Sequence, residues 1–102
     1  MREPKKVTVF KNGTNVRRGG ATRSSPDNVI GVINAGEYLA FVQCAGEEVE
    51  ERPYKNNWWV LLDTPVGKGW VSAVRIKTGR NDQPIPGVST AATIFSVPRL
   101  FP

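Results

Sequence analysis

The side chains most able to do chemistry in this sequence are acidic: Asp27, Asp63 and the run Glu47, Glu48, Glu50 and Glu51. Two carboxylates held close together can work as general acid and general base. None of these stands in a catalytic setting, and solvated surface carboxylates are the simpler reading. Histidine is absent, which removes the commonest general base, the Ser/His and Cys/His nucleophile pairs and every zinc site that needs an imidazole. Cys44 is the single cysteine, so no internal disulfide forms. Without a neighbouring base it reads as an inert buried thiol, which suits synthesis in a reducing cytoplasm. The sequence therefore predicts no enzyme, no catalytic residue, no metal and no cofactor.

Charge points to partners instead. The net charge is +5 with a pI near 9.8, and it is placed unevenly. Arg2, Lys5, Lys6, Lys11, Arg17, Arg18 and Arg23 come early, and the glutamates sit together in mid-chain. A basic face can meet phosphates or an acidic polymer, and an acidic loop can meet a basic partner. Nucleic acid is disfavoured: Arg18-Gly19-Gly20 is one copy of a motif that works in arrays, and the aromatics are not interleaved with the arginines. No apolar stretch is long enough for a membrane span or a secretory signal, so no membrane is expected as a partner and synthesis is expected in the cytoplasm.

The elements that must position these groups are strands. Val7-Thr8-Val9-Phe10 alternates with the period of a half-buried strand, and Lys11-Asn12-Gly13 is a turn signal. A strand over 14–17 follows, then a Gly-, Ser-, Asn- and Pro-rich loop over 18–28, then a strand over 29–33. Residues 37–44 also fit a helical stripe, but Gly36 and Gly46 bracket a stretch too short for an ordinary helix, and its aromatic and β-branched content favours a strand. Residues 45–57 read as an extended polar loop. Residues 58–62 are the strongest strand in the chain, and Gly69-Trp70-Val71-Ser72 opens the last. The predicted core is Val16, Ile33, Leu39, Phe41, Trp59, Leu61 and Val71, with Trp58 on the outer face because neighbours on a strand point opposite ways.

Three segments in this order resemble the bacterial SH3 (SH3b) family: Asn15-Val16-Arg17 before a Gly-rich loop, Val29-Ile30-Gly31-Val32-Ile33-Asn34-Ala35-Gly36, and Gly67-Lys68-Gly69-Trp70-Val71. The match covers residues 7–76. It implies an all-β fold, a small SH3-like barrel of five or six short strands. In family members that bind cell-wall peptides, exposed aromatics line a groove beside the first loop and the Trp-led strand. By that resemblance the ligand or partner groove here is Arg17, Tyr54, Trp58 and Trp70. The first loop departs from the family pattern by lacking its Gly-Pro pair, and the loop before Trp58 is long and acidic.

The barrel is expected over 1–77 and an extended Pro-rich C-terminal arm over 78–102. Near its end the arm carries Ile94, Phe95, Val97, Leu100 and Phe101, which are expected to dock on neighbouring subunits. Burying all five would return roughly 7 to 15 kcal/mol, less than ordering the arm takes in water, so it must lie on the barrel, on a sister copy or on another protein. The expected function is a non-catalytic docking or structural subunit of a larger assembly. Stand-alone barrels of this type resemble small bacteriophage virion proteins. The alternative is a module that binds peptidoglycan peptide in the cell wall.

Overall fold

A computed structural model of the chain describes residues 4–18 and 28–91. Six strands, β1 (Lys5–Val9), β2 (Thr14–Arg17), β3 (Val29–Ile33), β4 (Gly36–Glu51), β5 (Tyr54–Thr64) and β6 (Gly67–Ser72), form one antiparallel sheet in the order β1-β4-β5-β6-β2-β3. The sheet curls into a small barrel. A 3-10 turn over Ala73–Arg75, capped by the Ser72 hydroxyl accepting from the Val74 N–H at 3.2 Å, carries the chain from β6 back to β1. There the Lys77 N–H donates to the Thr8 carbonyl at 2.7 Å and the Phe10 N–H to the Arg75 carbonyl at 3.1 Å. β1 is thus bonded on both sides, which removes a free edge where association could start.

Residues 37–44 form a strand, as their length suggested, and that strand continues to Glu51. The polar loop expected over 45–57 is a long β4–β5 hairpin turning at Arg52-Pro53, with Val49 opposite Asn56 and Glu51 opposite Tyr54. Its ladder is interrupted between Ala45 and Val49. A polar, glutamate-rich strand reads as a loop because its side chains face water, although its backbone groups still pair.

Val16, Ile33, Trp59 and Val71 are buried as expected. Leu39 is not: it is 39% exposed, and Phe41 is half-buried with the Lys68 ammonium 4.8 Å from its ring centre. The register shifts between Ala40 and Val42. An extra residue in one strand inverts the alternation of faces beyond it. Tyr38 and Ala40 therefore face the main core before the shift, and Gln43 is buried after it.

Trp58 also departs from expectation. It is half-buried and packs with the main core of Val7, Val9, Val16, Val60, Leu62 and Ile76. The other face of β5 is covered too. Trp59 packs there with Cys44 and Trp70, and Leu61, half-buried, joins them with Val42, Val49 and Ala91. Large side chains on β4, β5 and β6 shield one another across the sheet, so both faces of β5 are apolar.

The first part of the expected arm lies on the barrel as a strap. Ile85 and Val88 join the main core. Gln43, 1% exposed, holds them: its side-chain N–H groups donate to the carbonyls of Ile85 (2.8 Å) and Val88 (3.0 Å), and its carbonyl accepts from the Ile85 N–H at 2.7 Å. The Gln43 backbone bonds Ser89 and Ala91 at 2.8 and 2.9 Å. Asn56 fixes the near end, donating to the carbonyls of Arg80 (2.9 Å) and Gln83 (3.2 Å). Ile94, Phe95, Val97, Leu100 and Phe101 lie outside the described residues.

Asp82 of the strap meets Glu48 of β4. The hydrogen bond between the two carboxyls pushes the Glu48 pKa above the usual carboxylate range, with desolvation and the Asp82 charge adding to the shift and Lys55 opposing it. A carboxyl whose pKa is raised by folding stabilises the fold below its ordinary pKa, and that contribution is lost as pH rises through the raised value. Glu48→Gln removes the titration. The expected result is a urea midpoint that gains on the parent as pH rises from 4 to 7; a difference that stays flat across this range would show that the pair is not coupled.

Candidate functional site

Where the strap leaves the barrel it builds one wall of a cleft of about 660 Å³. The floor is apolar and comes from barrel residues that closure of β1 brings together: Val9, Ala73, Val74 and Ile76. Phe10 and Tyr54 stand on the rim, 40% and 55% exposed, with their rings edge to face at 6.3 Å and 72°. Tyr54 is exposed because it opens β5 beside the hairpin turn, and Phe10 because the strand β1 has just ended. Lone exposed apolar residues are ordinary, but a pair of large aromatics beside an apolar hollow marks a binding surface.

Among the described residues, the cations of the cleft are Lys55, Lys77 and Arg80, and no carboxylate lines it. Lys55 is shared by Asp82 at 3.5 Å and Glu48 at 4.0 Å. Lys77 and Arg80 form no ion pair among the described residues. The wall carrying Arg80 is held to β5 by two bonds, since the Lys55 N–H donates to the Asn81 side chain at 3.0 Å and the Asn56 side chain donates to the Arg80 carbonyl. The Asp82 N–H donates in turn to the Lys55 carbonyl at 3.2 Å.

Of the four residues expected to share a groove, only Tyr54 lines this cleft. Trp58 packs on the main core, and Trp70 is 2% exposed beneath β4 and β5, so its ring is not available to a ligand. Arg17 pairs with Trp70 in the ladder and donates to the Asn28 side chain at 2.8 Å, bracing the start of the first loop. Burial lowers its pKa from the usual arginine value, and the charge of Glu47 opposes this. Beside the first loop and the Trp-led strand there is a dent of about 60 Å³, bordered by Arg17, Trp59 and the Arg75–Glu51 ion pair. That pair is bidentate, at 2.6 and 2.8 Å.

Phe10, Lys77 and Arg80 are the site residues that the sequence did not disclose. Phe10 lies far in the chain from Lys77 and Arg80, and they meet only because residue 76 returns to β1 and the strap folds back over β5. Among the described residues, no three His, Cys, Asp or Glu side chains come together to hold a metal ion, and no helix is long and apolar enough to cross a membrane. No family model, curated protein or solved structure matches the chain.

Proposed function

We propose that this chain is a non-catalytic docking subunit of a larger protein assembly, built on an SH3-like barrel. The observation that carries the reading is the exposed Phe10–Tyr54 pair standing over a preformed apolar cleft. A site of this kind offers binding area and no nucleophile, base or electrophile in a working arrangement. The strap supports the reading as well. Its anchorage through Gln43 and Asn56 fixes the cleft wall before a partner arrives, which lowers the ordering cost of association.

The resemblance to stand-alone SH3-type virion proteins favours a bacteriophage particle as that assembly, with the segment Ile94 to Phe101 proposed to meet neighbouring subunits. Sedimentation of particles purified from cells that make the chain tests both parts. The parent is expected in the particle fraction, and Phe10→Ser/Tyr54→Ser is expected in the supernatant with its circular dichroism unchanged. A parent chain that stays in the supernatant overturns virion membership. Retention of the purified chain on peptidoglycan would favour cell-wall binding instead.

A further inference from the structure

The geometry points to an acidic, extended segment of a partner protein, carrying one aromatic or aliphatic anchor, as the occupant of the Phe10–Tyr54 cleft. This rests on the docking reading and adds the chemistry of the partner. The apolar floor and the two rim aromatics favour a hydrophobic anchor, because such a side chain gains by leaving water for an apolar hollow. Charge selects what flanks that anchor. Among the described residues three cations and no carboxylate line the cleft, and of these Lys77 and Arg80 form no ion pair. A basic segment would meet like charge there, while aspartates or glutamates beside the anchor complete ion pairs on the rim.

Four of the chain's own acids are engaged elsewhere. Glu48 and Asp82 take Lys55, Glu50 pairs with Arg52 at 3.6 Å, and Glu51 is held by Arg75. A second copy carries the same net charge of +5, so a different protein of acidic character is the better fit. The wall that carries Arg80 lies beyond the region of the SH3 resemblance, since residues 78–81 of the strap supply it, while Phe10 and Tyr54 of the rim lie within that region.

Selection of a randomised ten-residue peptide library on the immobilised full chain tests this. The expected result is enrichment of peptides with Asp or Glu within a few positions of Phe, Trp, Leu or Ile. Their affinity is expected to fall with added salt and to weaken about ten-fold in Lys77→Glu/Arg80→Glu, which equals about 1.4 kcal/mol. The same double variant, selected afresh, is expected to prefer basic peptides. Tyr54→Ser is expected to weaken peptides of either charge, and amide shifts on binding should cluster at Thr8, Phe10, Asn56 and Lys77.

Enrichment of neutral or basic peptides by the parent overturns the proposal and leaves the docking reading standing. So does enrichment that Lys77→Glu/Arg80→Glu does not alter. Octanoate binding in the cleft with no enriched peptide would assign the site to a free amphipathic carboxylate and also overturn it. A parent chain absent from every assembly, yet selecting acidic peptides, would overturn the docking reading alone.

Discussion

Gln43→Leu is expected to lower stability by about 3 kcal/mol, with a melting temperature roughly 15 °C below that of the parent. Leucine keeps the volume of the side chain, so packing changes little. What is lost is the set of three hydrogen bonds that Gln43 makes to Ile85 and Val88. A buried amide group left without a partner costs about 1 to 3 kcal/mol. The loss is capped, because the strap can lift and give its backbone groups to water, at the expense of the area Ile85 and Val88 bury. Hydrogen exchange separates the two outcomes. If the strap lifts, the Ile85 and Ala91 amides exchange much faster in the variant while β5 and β6 keep their protection. Stability within 0.5 kcal/mol of the parent would mean that the amide does not hold the strap.

The same residue shows what the sequence could and could not disclose. The strands were legible wherever apolar residues alternate or run together, as in Val7-Thr8-Val9 and Trp58-Trp59-Val60-Leu61-Leu62. Faces were legible only where the ladder is regular. Leu39 and Phe41 are in the predicted core, but Tyr38 and Ala40 hold the inward places of β4, and one shift of register beside Phe41 hands the next inward place to Gln43. Gln43 itself was a signal: a lone amide in the apolar run from Tyr38 to Cys44 is out of place unless something polar is buried with it. Its partners are the backbone of a segment whose prolines and glycines read as loop, and loop chemistry carries no sign of where the loop lies.

The candidate site was partly legible for the same reason. Tyr54 could be picked out only through the SH3 resemblance, which implies an exposed aromatic beside the Trp-led strand. Trp70 could not be placed. A tryptophan on a closing strand suits a ligand groove and a covered outer face equally well, and only the stacking of Trp59 and Cys44 against it decides between them. Arg80 sits in a stretch whose sequence says turn. Its place on the cleft follows from Asn56 and Asn81, two amides that tie the strap to β5 over a separation no local pattern records.

Trp59→Ala is expected to destabilise by about 4 kcal/mol, and Trp58→Ala by about 2 kcal/mol. The sequence ranks the two neighbours in the same order but gives Trp58 almost no cost, because alternation makes one of them exposed. Trp59 is 1% exposed between Cys44 and Trp70, so truncating it opens a cavity that rigid strands on three sides cannot close. Trp58 is half-buried at the margin of the main core, where water can enter the space its ring leaves. The indole of Trp59 has a second task. Its N–H donates at 2.9 Å to the carbonyl of Glu47, in the stretch between Ala45 and Val49 where the β4–β5 ladder is interrupted. Trp59→Phe keeps most of the ring and loses that bond, so it should cost about 1 to 2 kcal/mol and raise exchange at the hairpin tip first. Urea unfolding of the three variants gives the test. An order in which Trp58→Ala is the most damaging would mean that β5 turns its faces the other way, and with it the cleft floor would lose the geometry on which the docking proposal depends.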